Sequence, residues 1–316
     1  MILCCGDTLI DMLPMTMADG QISFRPYPGG GVLNTAIALA RLGVETSLFS
    51  GLSSDFFGDI LKDYMQSNAV NYDLSVVSDR PTTLAMVENQ SQSARYQFYD
   101  EGSAARMLTG QEILKLSTPA DCIFAGGISL VADPAASAFE HFIIRESNRS
   151  VIVLDPNIRP LFITNPDEHR ARLFRIFAHI DILKVSDEDL EWIIPTAKSG
   201  AEAVRQLLEL GIKIVFVTKG ANGVQAYSSN GKMVAVGGIK TEVIDTVGAG
   251  DTFNGAMMAE FKRLGLLSSQ RLTSLANDEL KAVLTFACQA AALSTMRVGA
   301  NPPNQDELDT FINNQH

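Results

Sequence analysis

Cysteine is scarce in this chain. The four present (Cys4, Cys5, Cys122 and Cys288) form no CxxC pair and no metal-ligand spacing. That argues against a disulfide scaffold or a zinc module and fits a reducing, cytoplasmic setting. Histidine is as sparse, with four residues, no HExxH and no paired ligand pattern. No apolar run approaches the ~18 residues of a membrane span. The opening "MILCCGDTLIDML" has no basic n-region and carries Asp7 and Asp11 among its apolar residues, so it reads as a strand rather than a signal peptide. Positive charge is also short: a formal net charge of −11 argues against wholesale binding to nucleic acid or an anionic membrane. Two phosphate fingerprints are missing. The one Gly-Lys, Gly231-Lys232, is followed by Met233, so there is no P-loop, and "GGGVLN" lacks the third glycine of GxGxxG.

What the chain does have is apolar material, 46% of its 316 residues, enough for a substantial core. The runs "MILCC", "TSLFSG", "DCIFAGG", "SVIVLD", "DILKVS" and "KIVFVTKG" read as buried strands. Helical patterns separate them: "VLNTAIALARLG", "DFFGDILKDYMQ", "ASAFEHFIIRES", "EAVRQLLELG", "DTFNGAMMAEFKRLG" and "DELKAVLTFACQAAALSTM". This alternation predicts a mostly parallel sheet covered by helices on both faces. Residues 20–27 and 82–100 break the rhythm, being β-rich with no helix between their strands, and "ENQSQSAR" resembles a hairpin connection. They read either as a small separate sheet, a candidate lid, or as an antiparallel extension of the main sheet. With no linker and no repeat, residues 1–316 are expected to form one α/β domain carrying that lid.

"DTVGAGDTFNGA" (245–256) is the most informative stretch. Gly248 and Gly250 permit backbone conformations closed to other residues, and Ala249 adds little bulk. A helical pattern then starts near Asp251. A helix start presents unpaired N–H groups at its positive end, so the turn suits an anion. Asp251 reads in two ways. It is an ordinary N-cap, or it is a base that accepts the proton of an attacking hydroxyl while the amides hold a transferring phosphoryl group.

This stretch resembles the C-terminal signature of the ribokinase-like carbohydrate kinases, and "PGGGVLNTAIALARLG" (28–43) is similar to their N-terminal signature, about 200 residues earlier. The resemblance implies a ribokinase-like three-layer α/β/α fold with a small β lid. It implies Asp251 as general base and Gly248, Ala249 and Gly250 as anion hole. It places Asp11, Gly30, Gly31 and Asn34 on the sugar; as residues alone, Asn34 could equally sit on an exposed helix face and Asp11 serve as a turn carboxylate. "DPNIR" (155–159) and "RYQFYDEGSAARML" (95–108) look like the fructokinase branch and add Asn157, Arg159 and Phe98. The plainer alternatives are a surface ion pair for Arg159 and lid or dimer core for Phe98. For ATP the resemblance implies Lys184, Ser186, Thr218, Gly220, Gly223 and Cys288, the last alternatively a helix-packing residue. "SDED" departs from the family's Asn-x-x-Glu, with Ser186 and Asp189 at those positions. Asp189 is then expected to order Mg²⁺ through water, and Asp245 and Val247 to offer carbonyls to a monovalent cation such as K⁺.

The expected activity is ATP-dependent phosphorylation of a sugar hydroxymethyl group, with fructose as acceptor. 2-Keto-3-deoxygluconate kinase and ribokinase are the alternatives within the class; an acidic sugar would call on Arg159, Arg95 or Arg106. A catalytically inactive sugar or nucleotide sensor is the alternative outside it, and a nicotinamide oxidoreductase lacks its fingerprint. The partners expected are a sugar, ATP and a second copy of the chain, paired through the open edges of the lid.

Overall fold

The structure is a computed structural model that describes residues 1–90, 93–114, 116 and 119–314. Strand β1 (Ile2–Cys5) is buried along its length. Its side chains alternate between two cores, Ile2 and Cys4 in one, Leu3 and Cys5 in the other. A strand covered on both faces requires this pattern. After Gly6 the chain leaves for a hairpin, β2 (Leu9–Thr16) and β3 (Ile22–Gly29), and enters helix α1 (Gly31–Arg41). Then come β4 (Thr46–Phe49), β5 (Gly51–Ser53), α2 (Phe56–Ser67) and β6 (Val76–Ser78), followed by β7 (Leu84–Gln90) and β8 (Ser93–Tyr99). The middle of the chain alternates through α3 (Gly110–Leu114), β9 (Cys122–Gly126), α4 (Ala135–Glu146), β10 (Val151–Asp155), α5 (Pro166–Phe177) and β11 (Ile182–Ser186). It continues through α6 (Asp187–Ile193), α7 (Gly200–Glu209), β12 (Ile214–Thr218), β13 (Val224–Ser228) and β14 (Met233–Val236). Helices α8 (Ala249–Arg263), α9 (Ser269–Thr273), α10 (Asn277–Thr295) and α11 (Gln305–Asn313) follow.

The main sheet has eight strands in the order β14-β13-β12-β11-β10-β9-β1-β4. It is parallel from β4 to β12 and antiparallel at the β13–β14 edge. Helices α1, α2 and α8 to α11 feed the core on one face, and α3 to α7 the core on the other. Three layers and a mostly parallel sheet are what the strand–helix alternation predicted.

The second sheet is separate, four strands in the order β3-β2-β7-β8. The antiparallel extension of the main sheet comes instead from β13 and β14. The second sheet holds the segments expected of a lid and adds Leu9–Thr16, which the sequence reading had joined to the first strand. The break falls at Gly6, where an added Cβ would strike Val32 Cγ2 at 2.7 Å. β7 and β8 pair antiparallel up to Gln90 and Ser93; the connection expected between them, residues 91–92, lies outside the described residues, as does the side chain of Arg95. Register aligns Tyr27, Asp11, Ala85 and Phe98 in one row across the four strands, so Asp11 and Phe98 share a face.

Candidate active site

Helix α8 begins at Ala249, two residues earlier than the periodicity indicates, with Gly248 as N-cap in the left-handed region (φ 75°, ψ 3°). A side chain there would be strained, and its Cβ would lie 2.6 Å from Ala300 Cβ. Gly248 makes no side-chain cap, and Asp251 does not serve as one: its Oδ2 accepts a hydrogen bond from Asn34 Nδ2 at 2.9 Å. The N–H groups of Gly250 and Asp251 donate to nothing among the described residues. Two open donors at the positive end of a fifteen-residue helix form an anion-binding position.

Helix α1 supplies the facing wall. Asn34 is buried, not on an exposed face. Thr35 Oγ1 donates to the Asp251 carbonyl at 3.3 Å. Gly31 allows a close approach: a Cβ there would sit 3.0 Å from Asn157 Nδ2 and 3.3 Å from Asp251 Oδ1. Gly31, Asn157 and Asp251 therefore converge on one spot, and Oδ1 takes no hydrogen bond among the described residues. Asn157 adopts positive φ (43°), its N–H donating to Asp155 Oδ1 at 3.0 Å. An Asx-type turn of this kind tolerates the left-handed region.

Charge around Asp251 is dense. Asp155 Oδ2 accepts from Lys184 Nζ at 3.0 Å and from Asn254 Nδ2 at 2.7 Å, with all three residues buried. Lys184 Nζ lies 3.2 Å from where a Gly250 Cβ would be, so its cation stands beside the helix start. Burial alone would lower the Lys184 pKa; the carboxylates of Asp155, Asp189 and Asp251 reverse that and raise it. Burial pushes Asp251 up to about 7 against the Asn34 hydrogen bond, with Asp155 adding to the rise. Asp11, on β2, is raised to about 6 by burial and then by the charge of Asp251. A carboxylate titrating near 7 with one free oxygen suits proton acceptance.

The remaining candidates spread outward. Phe98 is half-buried, its ring centroid 4.1 Å from that of Phe162 in the turn after "DPNIR", so the small sheet reaches the main body there. Arg159 is exposed and makes no ion pair among the described residues; the surface ion pair is not formed. Gly30, the N-cap of α1, approaches Asp7. Ser186 and Thr218 are register partners at the ends of β11 and β12, and Gly220 and Gly223 shape the turn that follows. Cys288 lies half-buried on α10, its thiol raised to about 11 by burial. Ser186 and Asp189 form a reciprocal cap of α6. Asp189 Oδ2 accepts the Ser186 N–H at 3.0 Å, while Oδ1 accepts the Ile158 N–H at 3.0 Å, tying the cap to "DPNIR". Asp245 uses its carboxylate on the N–H groups of Val247 (3.0 Å) and Gly299 (2.8 Å). The carbonyls of Asp245 and Val247 accept no hydrogen bond among the described residues. The stretch after Gly299 is gripped by Arg41, whose Nη1 donates to Asn301 Oδ1 and the Pro302 carbonyl, both at 2.6 Å.

Three residues at this centre escaped sequence reasoning: Asp7, Asp155 and Asn254. Asp155 and Asn254 lie inside quoted motifs, but nothing in one sequence says that they meet across 99 positions.

The profile of the pfkB family carbohydrate kinases matches residues 1–307. A fructokinase from Rhizobium leguminosarum bv. trifolii is 42% identical over 89% of this chain and 86% of its own length. Among solved structures, a fructokinase from Xylella fastidiosa with bound ATP superposes with a TM-score of 0.91 at 27% identity, covering 99% of this chain and 98% of that one. A double mutant of the fructokinase from Vibrio cholerae O395, solved with fructose, ADP and potassium ion, gives 0.84 at 25%, covering 98% and 97%.

Proposed function

The chain belongs to the pfkB family of carbohydrate kinases, and from that premise we propose that it transfers the γ-phosphoryl group of ATP to a hydroxymethyl group of fructose. The observation carrying the chemistry is the meeting of the free Asp251 Oδ1 with the two open N–H donors of Gly250 and Asp251, the Lys184 cation beside them. The sugar lies between Asp11, Gly30, Gly31, Asn34, Asn157 and Phe98. Asp251 takes the hydroxyl proton, and the Gly248–Gly250 turn holds the charge of the transferring group. Fructose is supported by the 42% identical relative and by the fructokinase structures.

The nucleotide side is assigned to Ser186, Thr218, Gly220, Gly223 and Cys288, and magnesium enters with ATP as the substrate complex. Asp189 keeps one further lone pair on each oxygen for a water of that metal. The two free carbonyls of Asp245 and Val247 fit a monovalent cation. Residues 9–16, 22–29, 84–90 and 93–99 act as the lid. Met15, Ile22, Phe24 and Tyr99 stand exposed on it, and they support pairing with a second copy. Among the described residues no helix is long and apolar enough to cross a membrane, and all four cysteines are free thiols, which supports a cytoplasmic setting.

A sugar acid such as 2-keto-3-deoxygluconate is the second reading, favoured by Arg159, whose guanidinium donates to the Ile158 carbonyl but makes no ion pair among the described residues. Against it, Arg106 is neutralised by Asp100 at 3.0 Å. ADP release with MgATP over fructose, ribose, 2-keto-3-deoxygluconate, glucose, tagatose and a nucleoside tests both. Fructose preference that disappears in Asp251→Asn is expected. Preference for the sugar acid overturns the acceptor and keeps the chemistry. Turnover that survives Asp251→Asn removes the base.

A further inference from the structure

Asp7 lies outside the roles assigned so far. It follows β1, is 5% exposed, and its Oδ2 accepts the Gly31 N–H at 2.9 Å. The N-cap of α1, Gly30, has no side chain to cap with, so a carboxylate 24 residues away serves instead. The backbone is shaped around it. A Cβ on Gly30 would meet Asp7 Oδ2 at 2.9 Å, and one on Gly127 would meet Oδ1 at 2.4 Å. Oδ1 is buried and has no hydrogen-bond partner among the described residues. Beside it lies a small cavity of about 20 Å³, lined by Asp7, Thr83, Ser129, Asp100 and Arg106 among others.

Capping alone does not account for this arrangement. A single oxygen suffices for a cap, whereas a carboxylate adds a second oxygen and a charge, and a buried polar atom without a partner is costly. Gly31 joins Asp7 to Asp251, since its N–H is bound by the first and its Cα faces the second.

We propose that Asp7 is a positioning residue for phosphoryl transfer: it pins Gly31 against Asp251 and sets a second carboxylate on the far side of that glycine. The proposal rests on Asp251 being the base. The groups acting on Asp251 are Asp155 at the end of β10, Lys184 on β11 and Asp7 at the N-terminus of α1, and Asp251 in turn acts on Asp11 of β2. On Asp7, the N–H groups of Gly31 and Val32 and the Arg159 cation oppose the effect of burial; Asp100 and Arg106 line the cavity beside it. Burial raises Asp7 to about 6 and Asp251 to about 7, so the two carboxyls titrate in neighbouring ranges and the charge of one bears on the other. A negative neighbour raises the proton affinity of Asp251, and removing it lowers that affinity. It also leaves the Arg159 cation less compensated, which acts in the same direction.

The test is the pH dependence of kcat/KM for the best acceptor of the sugar panel under saturating MgATP, in the wild type, Asp7→Asn and Asp7→Ser, with thermal melts of each. Both replacements remove the charge; Asp7→Asn keeps an oxygen at the Gly31 N–H, and Asp7→Ser draws it back by one bond, so the pair separates loss of the charge from loss of the cap. The acidic limb is expected to move to lower pH in both, with kcat falling more than KM changes. A limb that stays in place, with any loss of activity tracking the melting temperature, overturns the proposal and leaves Asp7 a helix cap. Asp251→Asn separates the two readings. If it remains active the base assignment has failed; if it is dead while the Asp7 variants leave the limb unmoved, only this proposal has.

Discussion

The charge of Asp251 acts on Asp11, yet the two residues stand on different supports. Asp251 sits in the first turn of α8, against the ends of β1, β10 and β11, where the strands are buried almost throughout. Its surroundings are ionisable groups on rigid elements: Asp155, Lys184 and Asp7. Asp11 sits on a four-stranded sheet whose β3 strand is largely exposed or half-exposed. Its row partner Phe98 touches the main body through Phe162. Buried charges repay their desolvation only in fixed geometry, so the first region suits the proposed transfer chemistry. The second suits the proposed recognition of a ligand by a lid.

The comparison predicts a ranking. Asp251→Asn is expected to lower kcat on the order of 10²–10⁴-fold, the range for losing a general base. In the wild type, kcat/KM should fall as pH drops below about 7, because Asp251 then takes up its proton. The sign for stability is opposite. A carboxyl whose folded pKa lies above its unfolded value costs stability at pH above both, so Asp251→Asn should melt higher than wild type at pH 8. A lower melt at that pH would mean the Asn34 contact outweighs the buried charge.

Next in size is Gly248→Ala. It forces a side chain into the left-handed region and against Ala300, at a cost of roughly 1–3 kcal/mol for the backbone alone. Loss of kcat should accompany the loss of stability, read from kinetics and melts together; a fully active variant would detach the turn from the anion hole. Asp11→Ala is expected to lower kcat/KM roughly 10–100-fold, the worth of charge-assisted hydrogen bonds, chiefly through KM for the sugar. A kcat collapse with unchanged KM would move Asp11 into the chemistry and erase the contrast between the regions. The smallest effect is Phe98→Ala, about 0.5–1.5 kcal/mol of aromatic contact or a several-fold rise in KM for the sugar. No change in the KM for ATP is expected.

The strands of the main sheet were legible because each is a short apolar run bounded by helix patterns. The Gly-Ala-Gly-Asp turn was legible because few other roles combine small residues with a carboxylate at a helix start. Helix α5 was not. His169 and Arg172 lie on its buried side, 3% and 5% exposed, and put polar letters where an apolar stripe would be read. Arg172 is held there by Glu140 and Asp133. The split between β1 and β2 was hidden because both are apolar and the turn between them takes only Gly6 to Thr8. Asp155 and Lys184 could not be paired from sequence, since charges that meet through β-sheet neighbours leave no periodic mark.

The grip of Arg41 on residues 301–302 links the first signature helix to the far end of the chain, and Ala300 lies against Gly248. The left-handed turn at the start of α8 is therefore shaped from outside its own motif. A bulkier side chain at position 300 would press on Gly248 and disturb the helix start without altering either signature.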